Sequence, residues 1–161
     1  MTPTMKQYEH PTAGFTIPLP EEWEPLADID GVALIAVEPA RGSQWFRTNL
    51  VVTIEPLGIG TDLAGWQEQA LALMRHGLHE FQLVDVEDIE LAGLPARRTL
   101  IHHRTEAGPM AAAVAMEQWT LIVGRLGYTI TASMAALEYD ELADVFAGLV
   151  AGFRPDPGFQ L

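Results

Sequence analysis

The feature that most constrains the fold is a series of strand-like segments joined by short connections. Residues 81–91 (FQLVDVEDIEL) and 96–104 (ARRTLIHHR) are joined by a turn with Gly93 at its tip, which is typical of a β-hairpin. Further strands are predicted at 110–123 and 128–134, again after short turns. Because parallel neighbours need a crossover of about a dozen residues or more, these segments predict an antiparallel sheet.

Two earlier segments also have strand character. Residues 32–39 form a short apolar run, and in residues 46–57 the apolar Leu50, Val52 and Ile54 alternate with polar side chains. In residues 128–134, alternation places Tyr128 on one face and Thr131 on the other. These patterns predict strands with one face turned to the core.

Two segments have helical periodicity instead. The first runs from Asp62 to about His79, with Thr61 or Asp62 available as its N-cap. Its apolar positions are Leu63, Trp66, Ala70, Leu73, Met74 and Leu78. The second runs from about Leu137 to Phe153, and its apolar stripe is Leu142, Phe146, Leu149 and Phe153.

Together these elements predict an α+β fold. We expect an antiparallel sheet of about six or seven strands with two main helices packed on it. The chain of 161 residues is 48% hydrophobic, enough to bury a substantial core, and we expect one domain over residues 1–161.

The opening of the chain favours a soluble cytoplasmic protein. Residues 1–15 lack a basic start, a continuous apolar run and a cleavage site, so they do not resemble a signal peptide. Residues 15–19 are predicted to be extended and to end at the prolines that follow, with Trp23 packing on the core edge. The longest apolar stretch, 108–124, is interrupted by Glu117 and Gln118, which argues against stable membrane insertion.

Composition excludes several classes of site and partner. Nine Lys and Arg against 22 Asp and Glu give a formal net charge of −13, which repels nucleic acid. The absence of cysteine rules out disulfides, thiolate metal sites and a cysteine nucleophile.

The histidines do not form a recognisable metal motif. His76 and His79 precede Glu80 at a spacing that places both rings near one helix face, but it differs from the zinc-protease pattern and lacks a third ligand. His102 and His103 are adjacent in a predicted strand and therefore point to opposite faces. We expect no metal ion and no other cofactor.

Catalytic motifs are equally weak. Gly58 and Gly60 lie between a strand and a helix, but Leu63 occupies the third glycine position of a dinucleotide-binding turn. Asp62 would also repel a pyrophosphate at the helix start. Neither serine, Ser43 nor Ser133, lies in a nucleophile elbow.

The remaining candidate is a polar platform on the strand faces opposite the core. Its predicted partner-binding residues are Arg47, Arg97, His103, Glu117, Trp119 and Thr131. Trp119 is the candidate anchor, because tryptophan is enriched at interface hot spots. Tryptophan is also usually buried, so a core position for Trp119 stays open.

Five segments resemble the PsbP/Mog superfamily, and in particular its bacterial LpqN-like and DcrB-like branches. They are FTIPLPEEW, FRTNLVVTIEPL, LAGLPARRTL, EQW followed by GYTITAS, and YDELADVFAGLVAGFRP. The resemblance covers roughly residues 8–155 and implies an antiparallel sheet flanked by helices. It also implies an accessory or binding role, since the superfamily includes photosystem assembly factors, a small-GTPase binder, bacterial lipoproteins and chaperones of secretion effectors.

Two functions follow as hypotheses. The first is a non-enzymatic accessory or chaperone-like module that binds a protein partner, with a homodimer also open. The alternative is a small-molecule-binding protein or enzyme whose pocket lies between sheet and helix and uses His103, Glu117 or Tyr128.

Overall fold

The computed structural model of the chain describes residues 3–42, 46–105 and 112–161, and it shows an α+β fold. Ser43 and residues 110–111 of the predicted strand 110–123 lie outside these ranges. The strands are β1 (Met5–Glu9), β2 (Phe15–Pro20), β3 (Glu24–Ile29), β4 (Val32–Val37), β5 (Asn49–Pro56), β6 (His79–Leu91), β7 (Leu94–Thr105), β8 (Ala112–Val123), β9 (Leu126–Ala135) and β10 (Arg154–Pro155). The helices are α1 (Leu63–Gly77) and α2 (Tyr139–Ala151), and a 3₁₀ turn at Ala136–Glu138 precedes α2.

The main sheet has seven strands in the order β3-β4-β5-β9-β8-β7-β6, and every neighbouring pair is antiparallel. A smaller sheet has the order β1-β2-β10. The predicted antiparallel α+β architecture is therefore confirmed. The short strands β1, β3 and β10 were not predicted, because their sequences carry little apolar alternation.

The predicted hairpin is confirmed as β6–β7. Leu91 pairs with Leu94, so the loop consists of Ala92 and Gly93. Both loop residues have positive φ, 52° and 77°, as a type I′ turn requires. This turn sets the register of the two longest neighbouring strands.

The core lies between one face of the main sheet and a layer formed by α2 and the small sheet. Tyr128, Ile130, Ala132 and Met134 of β9 are fully buried on this face. They belong to the same apolar cluster as Phe146, Leu149 and Phe153, with Leu142 packed at its margin. The predicted stripe of α2 therefore covers the predicted face of β9.

Helix α1 packs on the opposite face. Its N-cap is Asp62, whose Oδ1 accepts a hydrogen bond of 2.7 Å from the amide of Gly65. The prediction that Leu73 belongs to the packed stripe is wrong: its side chain is 74% exposed, and Leu71 is half-buried instead. Leu71 and Leu73 lie on opposite margins of the apolar stripe, and the structure covers the margin of Leu71, on the side of the buried Gln67.

The opening segment differs from the prediction in one respect. The prolines do not end the strand at residue 19, because β2 continues through Pro18 to Pro20. Strand β10 pairs only with Phe15 and Thr16, so Pro18 has a strand neighbour, β1, on one side only. A proline nitrogen is tolerated there because the other side requires no ladder donor.

Trp23 packs at the core edge as predicted, with its ring centroid 6.0 Å from that of Phe146. Neither helix in the described part of the chain combines the length and apolarity that a transmembrane span requires.

Candidate functional site

The strand register distributes the predicted platform residues over both faces of the sheet. Residues directly paired across antiparallel strands share a face. Trp119 pairs with Ile130, and Glu117 pairs with Ala132, so both lie on the core face. The prediction that Glu117 and Trp119 face away from the core is wrong.

Trp119 is 3% exposed and belongs to the apolar cluster. The core alternative for this tryptophan is therefore correct in the structure, and its ring is not available to a partner.

Glu117 is 2% exposed and lies in a polar network on the core face. Arg98 Nε and Tyr139 Oη each donate a hydrogen bond of 2.9 Å to Glu117 Oε2. Arg98 Nη1 also donates to Asp85 Oδ2 at 2.9 Å. The network thus connects β6, β7 and β8 to the start of α2.

In this network a half-buried guanidinium, that of Arg98, pairs with the buried carboxylate of Glu117. Burial by itself would lower the pKa of Arg98, but its hydrogen bonds to Asp85 and Tyr139 and the charge of Glu117 raise it overall. Burial, followed by the hydrogen bond to Glu117, raises the pKa of the Tyr139 hydroxyl. Neither group is poised to titrate near neutral pH, which favours a structural role for both.

Arg97 and Thr131 lie on the opposite face, as predicted, but both have partners within the chain. Arg97 Nε donates to Asp88 at 2.8 Å, and its Nη1 donates to Gln67 Oε1 of α1 at 2.7 Å. Gln67 Nε2 in turn donates to Thr99 Oγ1. Arg97 therefore helps to hold α1 on the sheet.

Thr131 Oγ1 accepts a hydrogen bond of 3.1 Å from Gln118 Nε2. Arg47 is exposed, before the start of β5, and its guanidinium donates to the backbone oxygen of Glu38 at 2.6 and 3.0 Å. The structure does not bring Arg47, Arg97 and Thr131 into one recess.

His103 also lies on the face opposite the core, since it pairs with Val114 next to the His102–Ala115 pair. Its ring is half-buried, its Nδ1 has no hydrogen-bond partner among the described residues, and burial lowers its pKa below the usual value. A recess of about 550 Å³ brings His103 near His76 and His79.

The two histidines of the predicted pair, His76 and His79, lie on different elements. Helix α1 ends at Gly77, so His79 lies in β6 and does not share a helix face with His76, contrary to the prediction. In the ranges that the structure describes, no group of three or more His, Asp or Glu side chains could hold a metal ion.

The structure does not place the three residues predicted for a small-molecule pocket, His103, Glu117 and Tyr128, on one face of the sheet. Tyr128 and Glu117 lie on the core face, whereas His103 lies on the other. The Tyr128 hydroxyl is buried without a hydrogen-bond partner among the described residues. Burial and the nearby Asp156 carboxylate raise its pKa.

A cleft does exist between the small sheet and α2. Its volume is about 480 Å³, and Trp23, Leu142 and Val145 form much of its apolar wall. The carboxylates of Glu38 and Glu141 also line it. Sequence reasoning placed Trp23 at the core edge but gave no sign of this cleft, because β2 and α2 are distant in sequence.

The most exposed part of the sheet is β6. Ten of its thirteen residues are exposed, including the aliphatic Leu83, Val84 and Val86. The sequence predicted the strand but not its edge position, because strand order depends on long-range pairing. The apolar residues of β6 were the available signal, and they are equally compatible with a buried strand.

Comparison with solved structures identifies the same fold in proteins of low sequence identity. The solution structure of cyanobacterial PsbP (CyanoP) from Synechocystis sp. PCC 6803 has a TM-score of 0.69 at 14% identity, covering 94% of this chain and 92% of that one. LpqN of Mycobacterium tuberculosis, described as involved in cell envelope biogenesis, has a TM-score of 0.69 at 16% identity, covering 96% and 91%.

The Ran-binding protein Mog1p of Saccharomyces cerevisiae has a TM-score of 0.66 at 14% identity, covering 94% of this chain and 95% of that one. Comparison with the sequences of curated proteins finds no match. The family model of DcrB matches residues 16–145, which is most of the chain. The chain therefore belongs to the DcrB family, and it shares its fold with PsbP, LpqN and Mog1p.

Proposed function

We propose that this DcrB-family protein is a non-enzymatic accessory protein that binds a protein partner. The observation that carries the proposal is the exposure of Leu83, Val84 and Val86 on an uncovered edge strand. Contiguous exposed apolar side chains are typical of protein-binding surfaces. The shared fold of the Ran-binding protein Mog1p supports a binding role of this kind.

The charged groups of the sheet support binding rather than catalysis. Arg98 and Glu117 connect the sheet to α2, and Arg97 connects it to α1. These contacts occupy the carboxylate of Glu117, which is one of the three residues named for the enzyme alternative. Their role in the proposal is to keep the sheet rigid while the exposed edge meets a partner.

The proposed location is the cytoplasm. Residues Met5–Glu9 form β1 and pair along β2, so they are part of the folded domain. Cell fractionation with intact-mass measurement tests this proposal. Recovery from the envelope fraction, or loss of residues within β1, would contradict it.

Site-specific photo-cross-linking in cells tests the binding function. A benzophenone amino acid at Val84 should capture a defined protein, because half of this side chain is exposed. The matched control is the same replacement at Leu26, which is 44% exposed on the other edge strand, β3. Absence of a specific adduct from Val84 and from other exposed positions, with turnover of a metabolite by the pure protein, would overturn the proposal.

The cleft beside α2 favours a second candidate function, the binding of a small molecule. Its size lies within the range of ligand pockets, and Trp23 provides an aromatic wall. A thermal-shift screen should then find a compound that raises the unfolding temperature by mass action. Trp23→Ala should abolish that rise, whereas a rise that survives this change would place the ligand elsewhere.

A further inference from the structure

The edge of the sheet indicates how a partner would be recognised, and this inference rests on the proposed protein-binding function. We infer that β6 accepts an extended segment of the partner, rich in basic and aliphatic residues, as an additional strand. The binding mode is β-augmentation, in which backbone hydrogen bonds provide affinity and alternate side chains provide specificity.

The first argument is the open backbone of β6. It is the terminal strand of the main sheet, and β7 is the one strand in residues 3–42, 46–105 and 112–161 that pairs with it. The strand is irregular near its start, but Asp85 to Leu91 pair with β7 in unbroken register over seven residues. A segment of this length suits an added strand, since strands most often have about 5–6 residues.

The opposite edge of the sheet has features that block pairing with an additional strand, and the regular part of β6 lacks them. Strand β3 has six residues, contains Pro25 and has a positive φ of 54° at Asp28. Short length, proline and local distortion are the usual devices that block pairing at a sheet edge. The regular part of β6 contains no proline, and its one positive φ lies outside that part, at Glu80.

The second argument is the chemistry of the side chains along the open edge. Val84 and Val86 offer exposed aliphatic contacts. Glu87 and Glu90 are exposed and form no ion pair among the described residues. Asp88 is paired with Arg97, yet its side chain is still 77% exposed.

The exposed acidic side chains of β6 favour a partner segment that carries positive charge. A segment with lysine or arginine beside its aliphatic residues would complement the acidic edge. A second copy of the chain would instead place the acidic β6 against itself, and like charges directly opposite each other destabilise a strand pair. A basic segment of a different protein is therefore the favoured occupant.

The direct test uses a seven-residue peptide of alternating lysine and valine, blocked at both ends. It should bind saturably in fluorescence anisotropy and should slow amide hydrogen exchange within Asp85–Leu91. Methylation of alternate peptide nitrogens should weaken binding by at least about tenfold, because it removes hydrogen-bond donors. Binding that is insensitive to methylation would overturn the inference, since it would indicate charge attraction without strand pairing.

Matched variants locate the site. Glu87→Lys together with Glu90→Lys should weaken peptide binding by about tenfold or more, because attraction becomes repulsion. Val86→Lys, inside the regular stretch of β6, should weaken it as well. The controls are Glu24→Lys and Leu26→Lys on β3, which are exposed positions of the opposite edge. Equal losses from the β3 and β6 variants would overturn the inference.

The same variants separate this inference from the proposed function. A cross-linked cellular partner that still binds the Val86→Lys protein would leave the binding function standing and overturn the role of β6. Failure to find any partner would count against the binding function itself. Sedimentation that shows a dimer lost in the β6 variants would identify a second copy as the occupant and overturn the inference.

Discussion

At the scale of single residues, the burial of Trp119 makes it a core side chain and not an anchor for a partner. Trp119→Ala should lower the free energy of unfolding by about 3–5 kcal/mol, because it empties a buried aromatic site. Thr131→Ala removes one hydrogen bond on the other face and should cost about 0.5–1.5 kcal/mol. Urea denaturation of both variants provides the measurement, and a cost from Trp119→Ala as small as that from Thr131→Ala would place the tryptophan outside the core.

Because of His103, we expect the stability of the folded protein to depend on pH. Burial lowers its pKa in the folded state, so the unfolded state binds more protons as the pH falls. The contribution of His103 to stability is therefore present above its unfolded pKa of about 6.5 and is lost as the pH falls below it. Comparing urea midpoints between about pH 7 and pH 5 should show a smaller loss in His103→Gln than in the unmodified chain. An equal loss of stability in the variant and in the unmodified chain would mean that other groups cause the pH dependence.

At the scale of elements, the docking of α1 depends on a glycine in β9. A Cβ at Gly127 would lie 2.6 Å from the ring of Trp66, which covers this position. Gly127→Ala should therefore displace α1 and destabilise the protein by about 1–3 kcal/mol.

The control is the same substitution at Gly148 in α2, where a Cβ would meet no atom of the described residues within 4 Å. Gly148→Ala should stabilise the protein by about 0.5–1 kcal/mol, since alanine loses less backbone freedom in a helix. Thermal unfolding of the two variants should give shifts of opposite sign. A neutral result for Gly127→Ala would mean that α1 is not held closely against β9.

At the scale of the whole molecule, the net charge of −13 opposes compaction. Salt should reduce this repulsion, so the unfolding temperature should rise between about 0.02 and 0.3 M sodium chloride. The rise should be smaller in the variant that reverses charge at Glu87 and Glu90. A fall in unfolding temperature with salt would show that surface ion pairs, such as Arg97–Asp88, outweigh the repulsion.

Local patterns in the sequence were sufficient to predict the individual elements. Alternation predicted β9 and its buried face, the turn at Gly93 predicted the β6–β7 hairpin, and apolar spacing with Asp62 predicted α1. These signals are readable because the side-chain period and turn geometry depend on neighbours within a few residues. Short connections between strands also determined the antiparallel arrangement.

Which faces and edges of the sheet are covered depends on contacts between distant parts of the chain. Glu117 is buried because Arg98 and Tyr139, which come from another strand and from α2, satisfy its carboxylate. β6 is exposed because no other strand of the described chain pairs beyond it. Both outcomes depend on contacts between segments far apart in sequence, and neither hydrophobic period nor turn chemistry carries information about such pairings.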